Sequence, residues 1–327
     1  MSVCQQEKSG SQAGYPVDVV KGVAVDLKGI VPPVVTPFDA EGNVDERSLG
    51  RLVDHLLAGG VHGLFLLGSS GEAASLDAGE RAAVVRTAVR GAAGRVPVLV
   101  GVIDTSTRRI FEYVDMAKTL GADAVVTLAT YYYRTNQAEI VELFRAVARR
   151  SPLPVVAYNL PQIVGVSMEA ATVAQLAREG TIRGIKDSSP DLTATREMLL
   201  AVRDVPGFSA LTGLELATDV ALAMGMAGAV PGLANVAPRP YVDMYDHVRS
   251  GRFDKARALQ ERLIALYAVI RQGRSGQSYS AAALSGFKAA LKHLGVLATS
   301  RMHEPMQGLT VEEEQRVKTI MQQTGLP

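Results

Sequence analysis

The sequence predicts an α/β chain: a (β/α)8 TIM barrel followed by a C-terminal helical extension. Eight short apolar runs alternate with segments of helical hydrophobic period between residues 28 and 250, at intervals of roughly 20–35 residues. The runs are apolar nearly throughout rather than every second residue, as in a parallel sheet covered on both faces. From Phe253 onward the pattern is helical only. A doubly wound sheet is the alternative, but eight regular units favour closure, and no GxGxxG or GxxxxGK[ST] phosphate loop follows any run. The expected organisation is an N-terminal extension over residues 1–27, a barrel over 28–250 and a helical extension over 251–327.

Leu27 to Phe38 reads as the first strand, ending at Thr36-Pro37-Phe38. Asp45 caps a helix whose Leu49, Leu52, Val53 and Leu56 share a face, and Gly59-Gly60 stop it. The second strand, Gly63 to Leu67, runs into Gly68-Ser69-Ser70-Gly71-Glu72. A helix over Ala78 to Ala93 leads to the strand Pro97 to Gly101, and Ser106 is the expected cap of the next helix. The fourth strand, Ala122 to Leu128, is followed by Tyr131-Tyr132-Tyr133. Beyond the helix Gln137 to Arg150, strand five is Pro154 to Tyr158. A helix from Met168 to Arg178 precedes strand six, which ends on Lys186. Leu192 to Val202 is helical, and Phe208 to Thr212 and Ala227 to Pro231 are strands seven and eight. In the extension, Ala256, Leu259, Leu263 and Leu266 share a helix face. Leu284 to Leu294 and Val311 to Met321 are further helices, and Gly273 to Gln277 is a flexible break.

Composition narrows the function. The chain of 327 residues is 47% hydrophobic and 20% charged, enough for a sizeable core. A net charge of +1 gives no reason to expect nucleic acid or an anionic membrane as partner. No apolar run reaches the ~18 residues of a membrane span. The single cysteine, Cys4, cannot form an internal disulfide. The five scattered histidines show no ligand spacing, so no metal site and no cofactor is expected. Residues 1–27 lack the layout of a secretory signal, and a cytoplasmic protein is predicted.

Active sites of parallel barrels lie at the C-terminal ends of the strands. Those ends carry Gly68 to Glu72, Tyr131 to Tyr133, Tyr158-Asn159, Lys186, Thr212-Gly213 and Val230-Pro231-Gly232. A lysine pointing into a closed barrel is a buried amine. Burial disfavours the ammonium, which makes the amine a nucleophile able to form a Schiff base with a keto group. A phenol beside it, Tyr158, can carry protons to and from the reacting carbons. The N–H groups of Gly68 to Gly71, with the hydroxyls of Ser69 and Ser70, could hold a carboxylate. The bland readings are a plain turn for Gly68 to Gly71, packing or a subunit contact for the three tyrosines, and a helix-start carboxylate for Glu72.

The motifs Gly68-Ser69-Ser70-Gly71-Glu72, Tyr158-Asn159-Leu160-Pro161 and Gly184-Ile185-Lys186-Asp187-Ser188-Ser189, in that order, resemble the class I aldolases of the dihydrodipicolinate synthase / N-acetylneuraminate lyase family. Val35-Thr36-Pro37-Phe38 with Gly42-Asn43-Val44-Asp45 resembles that family's N-terminal signature. The resemblance runs from about Leu27 to near the C-terminus. It implies that Lys186 forms the imine with pyruvate or another 2-oxo acid, with Tyr158 as the proton relay. Ser69 would link Tyr158 to a second tyrosine, and Ser70, with the Gly71 region, would hold the carboxylate. Tyr132 would be the tyrosine that reaches into a neighbouring subunit's site, with Tyr131 or Tyr133 as alternatives one residue away. Val230 and Gly213 would line the site, and a homotetramer is implied.

Two positions depart from the family pattern. Dihydrodipicolinate synthases carry an arginine two residues after the proline of Tyr-Asn-x-Pro, where this chain has Ile163, which cannot pair with a carboxylate. Sialic acid lyases carry an Asp-Glu pair after strand seven, where this chain has Leu214-Glu215. The resemblance therefore points to a 2-keto-3-deoxy sugar acid or a related 2-oxo acid. The alternatives are dihydrodipicolinate synthase or N-acetylneuraminate lyase proper, and a non-catalytic member that only binds 2-oxo acids.

Overall fold

Parallel strands and helices alternate along the chain in a computed structural model that describes residues 27–325. The expected extension up to residue 26, with Cys4, lies outside the described residues. The strands are β1 (Gly29–Ile30), β2 (Leu64–Leu66), β3 (Val98–Gly101), β4 (Ala124–Leu128), β5 (Val155–Asn159), β6 (Gly184–Asp187), β7 (Ser209–Thr212) and β8 (Gly228–Ala229). Every pairing is parallel, in the order β1-β8-β7-β6-β5-β4-β3-β2.

The barrel closes through the segment after β1. Pro33 bridges Phe65 of β2, Phe65 N–H donates to Pro32 O at 3.0 Å, and Val34 N–H donates to Phe65 O at 2.9 Å. The regular part of the first strand is thus far shorter than Leu27 to Phe38. Pro32 and Pro33 bring no N–H to a ladder, so the chain pairs only at intervals. Asn235 buttresses this seam from the β8 side. Its side chain is fully buried, donates to Pro33 O (2.9 Å) and Gly232 O (2.8 Å), and accepts from Val35 N–H (3.2 Å). Asn235→Ala removes the side-chain partner of three buried backbone groups, and the expected cost is about 2–4 kcal/mol. Urea unfolding measures it; a loss under about 0.5 kcal/mol would show that the seam is held elsewhere.

The barrel helices are α1 (Glu46–Ala58), α2 (Ala78–Ala92), α3 (Thr107–Thr119), α4 (Gln137–Arg150), α5 (Pro161–Val164), α6 (Ala170–Arg178), α7 (Leu192–Val202), α8 (Thr218–Ala223) and α9 (Pro238–Arg249). Asp45 caps α1 as expected, accepting from Ser48 N–H at 3.0 Å. Asp77/Glu80 and Asn136/Glu139 form capping boxes on α2 and α4. Ser106 sits at the N-cap of α3 but makes no side-chain cap bond. Asp104, two residues upstream, accepts the Ser106 N–H at 2.8 Å and fixes the entry to the helix.

Beyond the barrel lie α10 (Phe253–Leu266), α11 (Tyr279–His293) and α12 (Val311–Thr324). The segment Gly273 to Gln277 is a tied turn rather than a loose break. Gln277 Nε2 donates to Gln307 O at 2.7 Å, and Arg274 reaches Glu313 at 3.3 Å. Glu72 stands at a helix start as expected, the N-cap of the 3-10 turn Ala73–Ser75, but its side chain makes no cap bond there. It follows a short 3-10 turn, Ser69–Gly71, and its side chain is buried in an ion pair with Lys288 of α11. No helix among the described residues is long and apolar enough to cross a membrane.

Candidate active site

Parallel register places Tyr158 of β5, Lys186 of β6 and Leu211 of β7 on one rung near the C-terminal ends of the strands. Lys186 is 6% exposed, and its Nζ lies 4.0 Å from the Tyr158 ring centroid and 5.1 Å from that of Phe65. The two rings meet edge to face at 6.2 Å. β2 and β5 therefore contribute an aromatic wall to one amine. Phe65 is a site residue that sequence reading treated only as part of a strand.

Tyr158 is almost fully buried, and its hydroxyl is within hydrogen-bonding reach of Lys186, Ser69 and Ser188. Burial pushes the phenol up, but the Lys186 charge and these three contacts outweigh it, leaving its pKa below the ordinary value. A phenol with a lowered pKa gives up its proton more readily, which suits it to a relay. Ser188 was visible in the Lys-Asp-Ser-Ser stretch, but only the fold shows that it turns back toward Tyr158.

The ends of β5 and β6 are locked beneath this pair. Asp187 accepts from Asn159 Nδ2 (2.9 Å), Ser189 N–H (3.0 Å) and Thr195 Oγ1 (3.0 Å), and Ser188 N–H donates to Asn159 O (2.9 Å). Both strands consequently run one residue past the ends expected at Tyr158 and Lys186. Gly213 N–H donates to Asp187 O at 2.6 Å. A Cβ on Gly213 would lie 2.0 Å from Ser188 Oγ and 3.2 Å from Lys186 Cε, so a side chain here would turn the Ser188 hydroxyl away and crowd Lys186.

The Ser69–Gly71 turn follows β2, with Ser69 exposed and Gly71 buried. Gly71 O accepts from Thr36 Oγ1 at 2.7 Å. Leu67 and Glu72, on either side of the turn, both hold φ of 54°, a left-handed backbone costing about 1–3 kcal/mol each for such residues. Val230 is buried, its N–H donated to Thr212 O at 2.7 Å.

Glu215 follows β7 and turns to the β8 loop, where its Oε2 accepts from Leu233 N–H at 2.8 Å. Burial pushes its carboxyl up to about 7, against the pull of the Leu233 and Gly232 N–H groups and of Lys186. Ile163, on α5, is 61% exposed. Tyr131 is half-buried against the core, beside Arg81 and Asp104. Tyr132 and Tyr133 stand out at 86% and 77% exposure, edge to face at 5.0 Å, with Tyr132 at φ 80°. The fold thus joins Lys186, Tyr158, Ser69 and Gly213, and leaves Tyr132 and Ile163 at the surface. Among the described residues no cluster of three or more His, Cys, Asp or Glu side chains could hold a metal ion.

Residues 26–324 match the Dihydrodipicolinate synthetase family. The chain belongs to that family. The 4-hydroxy-tetrahydrodipicolinate synthase of Hyphomonas neptunium is 38% identical over 239 residues, 73% of this chain and 81% of that protein. The solved dihydrodipicolinate synthase of Bacteroides thetaiotaomicron superposes with a TM-score of 0.87 at 34% identity, covering 92% of this chain and all of that one. Escherichia coli YagE, a putative 2-dehydro-3-deoxy-D-gluconate aldolase, is 32% identical over 300 residues, 91% of this chain and 97% of its own length. Its structure in complex with pyruvate superposes with a TM-score of 0.86, covering 92% of this chain and 99% of that one. As a member of the dihydrodipicolinate synthetase family the chain is a lyase of class I aldolase type, on a (β/α)8 barrel with C-terminal helices.

Proposed function

We propose that this lyase cleaves or forms a 2-oxo acid through an imine on Lys186, with pyruvate as one partner. The observation that carries the reading is the buried Lys186 amine against a Tyr158 phenol that also reaches Ser69. In the cleavage direction the amine adds to the C2 carbonyl and water leaves, giving a protonated imine. The electrons of the C3–C4 bond flow to that nitrogen, an enamine remains, and the C4 carbon departs as an aldehyde. Tyr158 accepts the C4 hydroxyl proton and passes it through Ser69. The enamine is then protonated at C3 and hydrolysed to free pyruvate. Ser70, with its own and the preceding backbone N–H in the Ser69–Gly71 turn, holds the substrate carboxylate throughout.

A 2-keto-3-deoxy sugar acid or related 2-oxo acid suits the distal side best. Ile163 offers no cation for a second carboxylate, and one carboxylate, Glu215, follows β7. The likeness to YagE supports the same choice. The exposed Tyr132 is the tyrosine we assign to a neighbouring subunit's site, in a cytoplasmic homotetramer; Tyr131 is committed to its own core.

Borohydride reduction in the presence of pyruvate, followed by peptide mass spectrometry, tests the chemistry. The expected product is one covalent adduct, located on Lys186. Folded protein that yields no adduct with pyruvate or with larger 2-oxo acids would defeat the aldolase reading.

A further inference from the structure

A second buried lysine lies outside the chemistry. Lys288 of α11 is fully buried, its Nζ ion-paired with Glu72 Oε1 and donating to Arg301 O at 2.9 Å, 4.3 Å from the centroid of the Phe38 ring. The other Glu72 oxygen accepts from His303 N–H at 2.9 Å. Both ends of the pair are therefore satisfied with no solvent exposure of either side chain. Replacing a buried ion pair by apolar groups is often neutral for stability or better, so stability alone does not account for this one. What the pair does is fix a position. Glu72 is the residue that ends the Ser69–Gly71 turn, in a left-handed backbone, with its own N–H donated to Ser69 O at 3.1 Å.

We propose that Lys288 is a positioning residue for the Ser69–Gly71 turn, acting through Glu72, so that the helical segment beyond the barrel sets the geometry of the oxo-acid carboxylate site. The inference rests on the function proposed above. The turn and the segment that follows it are anchored from three directions: Thr36 holds Gly71 O, Arg81 holds Ala73 O (2.5 Å) and Leu76 O (3.2 Å) just beyond the turn, and Lys288 with the His303 N–H holds Glu72. The first two grip backbone within the barrel. Only the third grips a side chain across 216 residues of sequence. Without Lys288 the Glu72 carboxylate is a buried charge lacking its counter-ion. It must protonate or swing toward water, and either response shifts the adjoining Ser69–Gly71 turn and with it Ser70.

The test uses the full chain with Lys288→Met. Half-saturating concentrations for borohydride trapping are measured with pyruvate and with hydroxyacetone, a ketone that has no carboxylate. The expected result is a rise of about ten-fold for pyruvate, matching the loss of one charge-assisted contact, with less than about two-fold change for hydroxyacetone. An equal rise for both ketones, or no rise for pyruvate, would overturn the proposal. Glu72→Gln, isosteric and still able to accept the His303 N–H, gives the same discrimination if Lys288→Met does not fold. A wild-type protein that traps neither ketone would instead defeat the functional reading, which separates the two failures.

Discussion

Lys186→Ala is expected to abolish the pyruvate adduct and to lower turnover by at least about 10^4-fold, because the covalent route is lost altogether. The fold should survive. The substitution removes an amine that contacts the Tyr158 and Phe65 rings and the Tyr158 hydroxyl, so unfolding free energy should move by no more than about 2 kcal/mol. Tyr158 should respond too. Burial pushes its phenol up and the Lys186 charge pulls it down. With the charge gone, burial dominates, and the phenol pKa rises. A difference titration of tyrosinate absorbance between wild type and variant reads that rise. A reduced adduct that persists in the variant and maps to Lys288 would refute the assignment. Burial alone does not distinguish the two lysines, but their surroundings do. Lys288 is engaged by Glu72, Arg301 O and Phe38, whereas Lys186 faces the Tyr158 phenol beside the exposed Ser69.

Tyr158→Phe should separate imine formation from proton traffic. The ring remains, and with it the edge contact to Phe65 and the cation–π contact to Lys186. The hydroxyl that reaches Ser69, Ser188 and Lys186 is gone. The expected loss in kcat is about 10^2–10^4-fold, the usual worth of a positioned acid–base group. KM for the oxo acid should stay within about three-fold, since the Ser69–Gly71 turn is untouched. The pyruvate adduct on Lys186 should still be trapped, more slowly. A loss below about ten-fold in kcat would remove Tyr158 from the relay and move that role to another group.

Much of this arrangement was legible before any coordinates. The apolar runs that became β2 to β7 and the helical periods between them are local signals, and they place Lys186, Tyr158 and Ser69 at strand ends. The Asp45 cap was correct for the same reason: a cap needs only its own first turn. Ser106 is likewise the N-cap residue expected, though its hydroxyl makes no cap bond and its own N–H goes to Asp104. The first strand was overextended because its apolar composition hid two prolines that bring no donors to a ladder.

What the sequence by itself determined is the alternation of strand and helix and the order of the chemical motifs. Each depends on residues within a turn or two of one another. What only the tertiary structure decided depends on distant segments meeting: the closure through Pro33 and Phe65, the turn of Ser188 toward Tyr158, the crowding of Gly213 against Ser188 and Lys186, and the burial of Glu72 against Lys288. An ion pair spanning 216 residues has no local period, and its energy exists only when both groups leave water together. Read along the chain, Glu72 is a charge after a glycine and Lys288 a charge on a helix; only the packed barrel and its C-terminal helices make them partners.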